Sequence, residues 1–415
     1  MRSFVLFSLL FLAVPARPQE TGSTGSPFSQ SKFVPDISLI LDGSYLHRNL
    51  SDEEHAALFL PGYVAGEQAP GREGFNLNYA EIGFSAAVDP YFELFAVCHL
   101  TEDRFELEEA YWSTKRLPAG FQLKAGKFLS SFGRINEVHT HYWDFAERPM
   151  VHEAFFGQEG LNEVGARVTW VPPIGVYVLA GAEVLMGGNE GSFGRTGFSR
   201  ETQGIRVDGV RGPGLLVGYL ESSVDVGDAA LLARLSAARG TTRRDEDFST
   251  GVPGGDALSG KTTILGAALT AKMPLDAIRD ISFQGEWLWR HTDATHYLLD
   301  AAPLANLSAL ERRQSGFYAQ AVAKFSMRMR GGVRYDLLQG NAITEAGLTH
   351  DLPEDLPRFS AMLEYSPTEF SRIRLEYIYD RSRTTVAAQH LDRTTVNEVS
   401  LQVNLAIGAH GAHSF

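Results

Sequence analysis

Period-two alternation of apolar and polar residues, repeated in sixteen segments from Asp36 onward, is the feature that most restricts what this chain can become. In 396–407, Val399, Leu401, Val403, Leu405 and Ile407 alternate with Glu398, Ser400, Gln402 and Asn404. In 370–380, Ile373, Leu375, Tyr377 and Tyr379 alternate with Arg372, Arg374, Glu376 and Asp380. Residues 279–290 and 317–326 repeat the pattern. A helix would scatter each set around its surface, whereas a strand gathers each on one face. The segments run roughly 9–13 residues, the length and pattern of strands that cross a bilayer.

The connections alternate as well. Short ones are Asp89-Pro90, Lys115–Pro118, Pro172–Gly175, Val226–Asp228, Pro274–Ile278, Ser326–Arg328 and Pro367–Phe370. Longer ones are 47–76, 129–162, 188–213, 240–260, 291–314, 339–356 and 382–394, with 100–104 a short exception in the long class. Tight turns on one side and long loops on the other predict an all-β fold, a transmembrane antiparallel up-and-down β-barrel of about sixteen strands. The 41 glycines and the 26 Phe, 14 Tyr and 5 Trp suit turns and aromatic girdles.

The first residues read as a cleaved signal peptide, 1–16. Arg2 is the basic flank, Phe4 to Val14 the apolar stretch, and Val14-Pro15-Ala16 supplies small residues for cleavage. Residues 17–35, rich in Gly, Ser and Pro, read as a periplasmic lead-in, and 36–415 as the barrel. Beyond residue 20 no run of eighteen apolar residues offers a spanning helix. Cys98 is the only cysteine, so no intrachain disulfide or CxxC site can form. The net charge of −13 argues against nucleic acid as a partner.

An arginine at the bilayer midplane on the lipid side costs about 2–4 kcal/mol, so the charged face of each strand must point inward. The expected pore-lining residues are therefore Arg328, Arg330, Arg334, Asp336, Arg372, Arg374 and Glu376. They read either as an anion pathway or as lumen salt bridges. Loop 129–162 carries Phe132, Tyr142, Trp143, Phe145, Phe155 and Phe156, unusually aromatic for an exposed loop. It is expected to fold into the barrel as a constriction loop. His139, His141 and His152 in the same loop, with nearby carboxylates, are candidate zinc ligands, although their spacing is not diagnostic. Residues 255–262 match the GxxxxGK[ST] phosphate loop but lack its strand-and-helix setting, and no GxSxG or HExxH motif suggests an enzyme.

Phe415, the last residue, shares the parity of the lipid-facing set 399–407. This resembles the C-terminal signal that the barrel-assembly machinery reads in bacterial outer-membrane proteins. In general plan the chain resembles the phosphate-selective and related substrate-selective porins. Segments 123–149 (LKAGKFLSSFGRINEVHTHYWDFAERP) and 408–415 (GAHGAHSF) are similar to outer-membrane proteins described as zinc-regulated and TonB-dependent-receptor-like. Such a receptor has an N-terminal plug domain, whereas only 17–35 lie between the expected leader and the first strand, so a plugless barrel is expected. The resemblance implies an outer-membrane channel for passive passage of small polar or ionic solutes. It also implies a homo-oligomer, porins often being trimeric, although no interface patch is legible. The rival readings are a zinc-binding uptake or scavenging protein and a closed structural or adhesive barrel.

Overall fold

The computed structural model describes residues 35–63, 71–115, 117–189, 191–200, 204–245, 256–298, 307–387 and 390–408. The expected leader, almost all of the lead-in, and Phe415 lie outside the described residues. Sixteen antiparallel strands close into a barrel. They are β1 (Asp36–Arg48), β2 (Gly74–Ala87), β3 (Phe92–Leu100), β4 (Phe105–Thr114), β5 (Phe121–Leu129), β6 (Asn162–Trp170), β7 (Tyr177–Leu185) and β8 (Leu215–Val226). There follow β9 (Ala229–Arg244), β10 (Asp256–Pro274), β11 (Asp280–Leu298), β12 (Leu307–Ser326), β13 (Met329–Glu345), β14 (Leu356–Thr368), β15 (Ser371–Asp380) and β16 (Val396–Gly408). Each strand pairs with the next, and β16 pairs with β1 from Gly408↔Ser38 to Glu398↔Arg48, so the barrel sheet itself has no free edge.

The alternation decides which face goes where. In β16 Leu401 and Ile407 are exposed on the outside while Glu398, Ser400 and Asn404 are buried within. In β15 Leu375, Tyr377 and Tyr379 are exposed and Arg374, Glu376 and Asp380 buried. The outer surface is thus an apolar band with aromatics such as Trp112, Trp170, Phe325 and Tyr335, as a barrel in lipid requires.

Strand length departs from expectation on one side. β9 to β13 have 16, 19, 19, 20 and 17 residues rather than 9–13. Pairing continues where hydrophobicity ends. On the outer face of β10, Leu265 and Leu269 give way to Thr263 and Lys261, and Lys261 stands opposite Asp293 of β11. In the long loops expected at 240–260 and 291–314, residues 240–244, 256–260, 291–298 and 307–314 are strand. Residues 256–262 of the phosphate-loop match fall within this extension. Residues 256–262 are extended strand, with Thr262 hydrogen-bonded to Thr242 (2.6 Å) and Thr292 (2.8 Å). No helix follows, so a phosphate-binding loop is excluded there.

The core lies inside the barrel. A helix, α2 (Met150–Phe156), sits in the lumen with six of its seven residues buried. Around it cluster Phe128, Phe132, Trp143, Leu185, Phe193, Val217, Leu288 and Leu338. Leu60 and Tyr63, from the loop after β1 that carries α1 (Asp52–Ala56), close over the same cluster.

Candidate functional site

Segment 130–161 leaves the end of β5 and turns back into the lumen, where its backbone polar groups must find partners without water. The wall supplies them. Glu183 accepts from the Ser131 amide (3.0 Å), and Glu286 accepts from the amides of Arg134 and Ile135 (both 2.8 Å). Glu376 accepts from Ala146 (2.7 Å) and Asp336 from Met150 (2.8 Å). Arginines take the carbonyls: Arg234 donates to Gly133 (2.7 Å), Arg374 to Trp143 (2.9 Å), Arg334 to Glu147 (2.9 Å) and Arg358 to Arg148 (2.7 Å). Ion pairs add to the ties, among them Arg330–Asp144 (2.9 Å), Arg358–Glu147 (3.0 Å) and Arg383–Glu153 (2.8 Å).

The arginines that alternation assigned to the lumen therefore have specific work. Arg334 and Arg374 are almost fully buried, and Arg330 forks onto Glu364 through two hydrogen bonds (2.9 and 3.0 Å). Arg330 is also the most solvent-accessible of the paired set, its side chain 32% exposed, with Arg372 at 14%. Asp336 and Glu376 are buried against the loop amides. Arg328 departs from expectation. It occupies the two-residue turn between β12 and β13 and is exposed, because the strand ends before its parity can place it in the lumen.

Within the loop, Phe132 and Phe155 are fully buried in the core, Trp143 nearly so, and Tyr142 is half-buried against His141. Gly133 shows how closely the loop meets the wall. Its φ is +70°, and a Cβ there would stand 2.3 Å from Glu286 Oε2. Gly133→Ala is expected to destabilise the folded barrel by about 1–3 kcal/mol. A lowered temperature for loss of the compact band in unboiled gel electrophoresis would register it.

The three candidate histidines part company. His152, on α2, is buried beside Glu286 (3.3 Å) and packs near Phe156 and Tyr318. It is a core residue and does not join the other two. His139 and His141 instead meet the wall of β2–β4. Glu81 Oε2 lies 3.1 Å from His141 Nδ1, 3.1 Å from His99 Nε2 and 3.8 Å from His139 Nδ1. Glu108 Oε2 lies 2.9 Å from His99, and Glu109 Oε2 lies 2.8 Å from His139 Nε2. Burial disfavours a charge on His139, but the carboxylates of Glu109, Glu81 and Glu108 outweigh it and hold its pKa well above the ordinary value. At His141 burial prevails and the pKa is lowered.

Glu81, His99, Glu108 and Glu109 were not singled out from sequence, yet a signal was there. In β4 Phe105 and Leu107 face outward, and so do Ala110 and Trp112, a change of phase. Val97 pairs with Glu109 and Cys98 with Leu107, leaving Glu108 as the extra residue of a β-bulge. The bulge turns two successive glutamates inward.

No family model matches the chain. A protein of Aquifex aeolicus, described as uncharacterized, is 45% identical over 396 residues, covering 94% of this chain and 82% of its own length. The chain belongs to that protein's family. Solved structures show which fold this family has. The outer-membrane channel DcaP of Acinetobacter baumannii matches with a TM-score of 0.52 at 12% identity, covering 91% of this chain and 99% of its own. An anion-selective porin from Comamonas acidovorans gives 0.52 at 12%, covering 90% and 100%. OmpT, an outer-membrane protein of Vibrio cholerae, gives 0.51 at 10%, covering 91% and 99%. With the closed sheet and apolar outer band, this makes the family member described here a porin-like β-barrel of the bacterial outer membrane.

Proposed function

We propose that the protein is a restricted channel for small polar or ionic solutes, with its passage confined to one side of the lumen. The observation that carries this reading is the unequal filling of the barrel. The inner faces of β5–β13 are packed with the apolar cluster around α2. The inner faces of β1–β3 and β16 instead carry Asp42, Asn78, Glu81, His99, Gln402 and Asn404, a polar strip with no counterpart of that cluster. Asp42 organises this strip, accepting from Asn78 (2.6 Å), Gln402 (2.9 Å) and Asn404 (2.9 Å). Loop residues His139–Tyr142 bound it on the inside. Arg372 on β15 gives it a partly accessible cationic group, and Arg330 on β13, which also ties the loop through Asp144, is the most accessible of the lumen arginines.

A sixteen-stranded barrel is wide enough for a channel unless something fills it, so narrowing by the loop favours small solutes. The folded protein in a planar bilayer is expected to give small, discrete conductance steps. Gln402→Trp, which puts a bulky ring in the polar strip, is expected to cut them by about half or more. A correctly folded protein that never opens, or a Gln402→Trp variant with unaltered steps, would count against the reading. Self-association remains part of the proposal. The Vibrio cholerae OmpT barrel has also been solved in a trimer form, and chemical cross-linking in native membranes is the check.

A further inference from the structure

We propose that Glu81, His99, Glu108, His139 and His141 form a binding site for a divalent transition-metal ion of the zinc type, joining the inner loop to the barrel wall. The donors come from β2, β3, β4 and the loop, so the fold itself assembles them. The donor atoms of Glu81, His139 and His141 all lie within 4.8 Å of one another, as do those of Glu81, His99 and Glu108. Zinc holds its ligands at about 2.0–2.2 Å, which places tetrahedral donor atoms roughly 3.3 Å apart. The imidazole-to-carboxylate distances in this cluster, 2.9 to 3.8 Å, bracket that value.

A second observation points the same way. His139 Nδ1 is buried without a hydrogen-bond partner, 3.6 Å from Glu108 Oε2, which itself lies 2.9 Å from His99 Nε2. A cation among these atoms would give His139 Nδ1 its partner. The other ring nitrogen of His139 is held by Glu109 at 2.8 Å. That is the arrangement by which an outer carboxylate orients a ligating imidazole and makes it more basic. Glu81, moreover, faces three imidazoles rather than a lysine or arginine. Imidazole nitrogen with carboxylate oxygen suits zinc and its first-row neighbours, whereas calcium and magnesium take oxygen ligands. The site stands whether or not the barrel conducts, since it needs only the loop and the wall.

Zinc chloride titrated calorimetrically into the EDTA-stripped, folded full chain in detergent is expected to bind at one ion per chain, with excess calcium failing to compete. The double variant His99→Ala/His141→Ala should weaken binding at least about tenfold, the loss that removal of even an outer-shell partner brings. His291→Ala, which alters a partly exposed His/Asp/Glu group on β11 and β12, should leave it unchanged. Absence of zinc binding, equal affinity in the double variant, loss in His291→Ala, or displacement by calcium would each overturn the proposal. Should the double variant fail to fold, anomalous scattering at the zinc edge from soaked wild-type crystals decides. A peak among Glu81, His99, Glu108, His139 and His141 supports the site, and a peak elsewhere or none refutes it.

Discussion

Glu286→Ala is expected to destabilise the folded barrel by about 3–5 kcal/mol, the range for removing one partner from a buried charged network, and to enlarge its conductance. Glu286 stands on β11 with 2% of its surface exposed. It accepts hydrogen bonds from the amides of Arg134 and Ile135 (2.8 Å each) and from the Tyr318 hydroxyl (2.7 Å), with His152 at 3.3 Å. Alanine would leave these donors buried and unpaired, at about 1–3 kcal/mol each when nothing replaces the lost acceptor. The loop can relieve that cost by leaving the wall, which is why stability and conductance should change together. Glu286→Gln keeps the volume and one acceptor oxygen, so a smaller loss is expected. Denaturant unfolding monitored by tryptophan fluorescence gives the stability change, and bilayer recordings give the conductance. Wild-type stability in the alanine variant would mean that the loop does not depend on this tie.

Leu401→Arg is expected to prevent stable insertion, whereas Gln402→Arg, one residue on, is expected to fold. Leu401 lies near the middle of β16 and faces lipid beside Tyr45 and Leu375, both exposed on the same outer face. An arginine there would sit close to the bilayer midplane at about 2–4 kcal/mol, between roughly one and three orders of magnitude in the folding equilibrium. At 402 the side chain points inward toward Asp42, an anionic partner 2.9 Å from the native Gln402 amide nitrogen. Folding into lipid vesicles, read by heat-modifiable migration, separates the two. Similar folding of both variants would mean that the two faces of β16 do not differ as described.

The period-two pattern made the barrel legible because a strand in lipid tolerates no error of parity, so Leu401 and Gln402 announce their faces without help. The tight turns were legible for the same reason. What the pattern could not show is where the membrane stops. Lys261 and Asp293 continue the pairing of β10 and β11 beyond the apolar band, and nothing in the alternation marks that boundary. The aromatic excess of 130–161 signalled burial, but its partners come from strands distant in sequence. Glu286 lies some 150 positions from the amides it accepts. His152 was grouped with His139 and His141 by proximity along the chain, whereas the helix α2 carries it away from them into the core. Glu81 and His99 were missed because a lone inward polar residue on each of two strands says nothing until register places them side by side. Glu108 and Glu109 were hidden by the bulge, which breaks the parity rule on which the reading depended.

The inner loop sets the free width of the barrel, and its effect can be measured directly. Single-channel conductance of the full chain should be compared with that of a variant whose residues 134–158 are replaced by a short Gly-Ser link. A rise of several-fold is expected, toward the conductance of an open sixteen-stranded barrel. Equal conductance in the two folded proteins would contradict it.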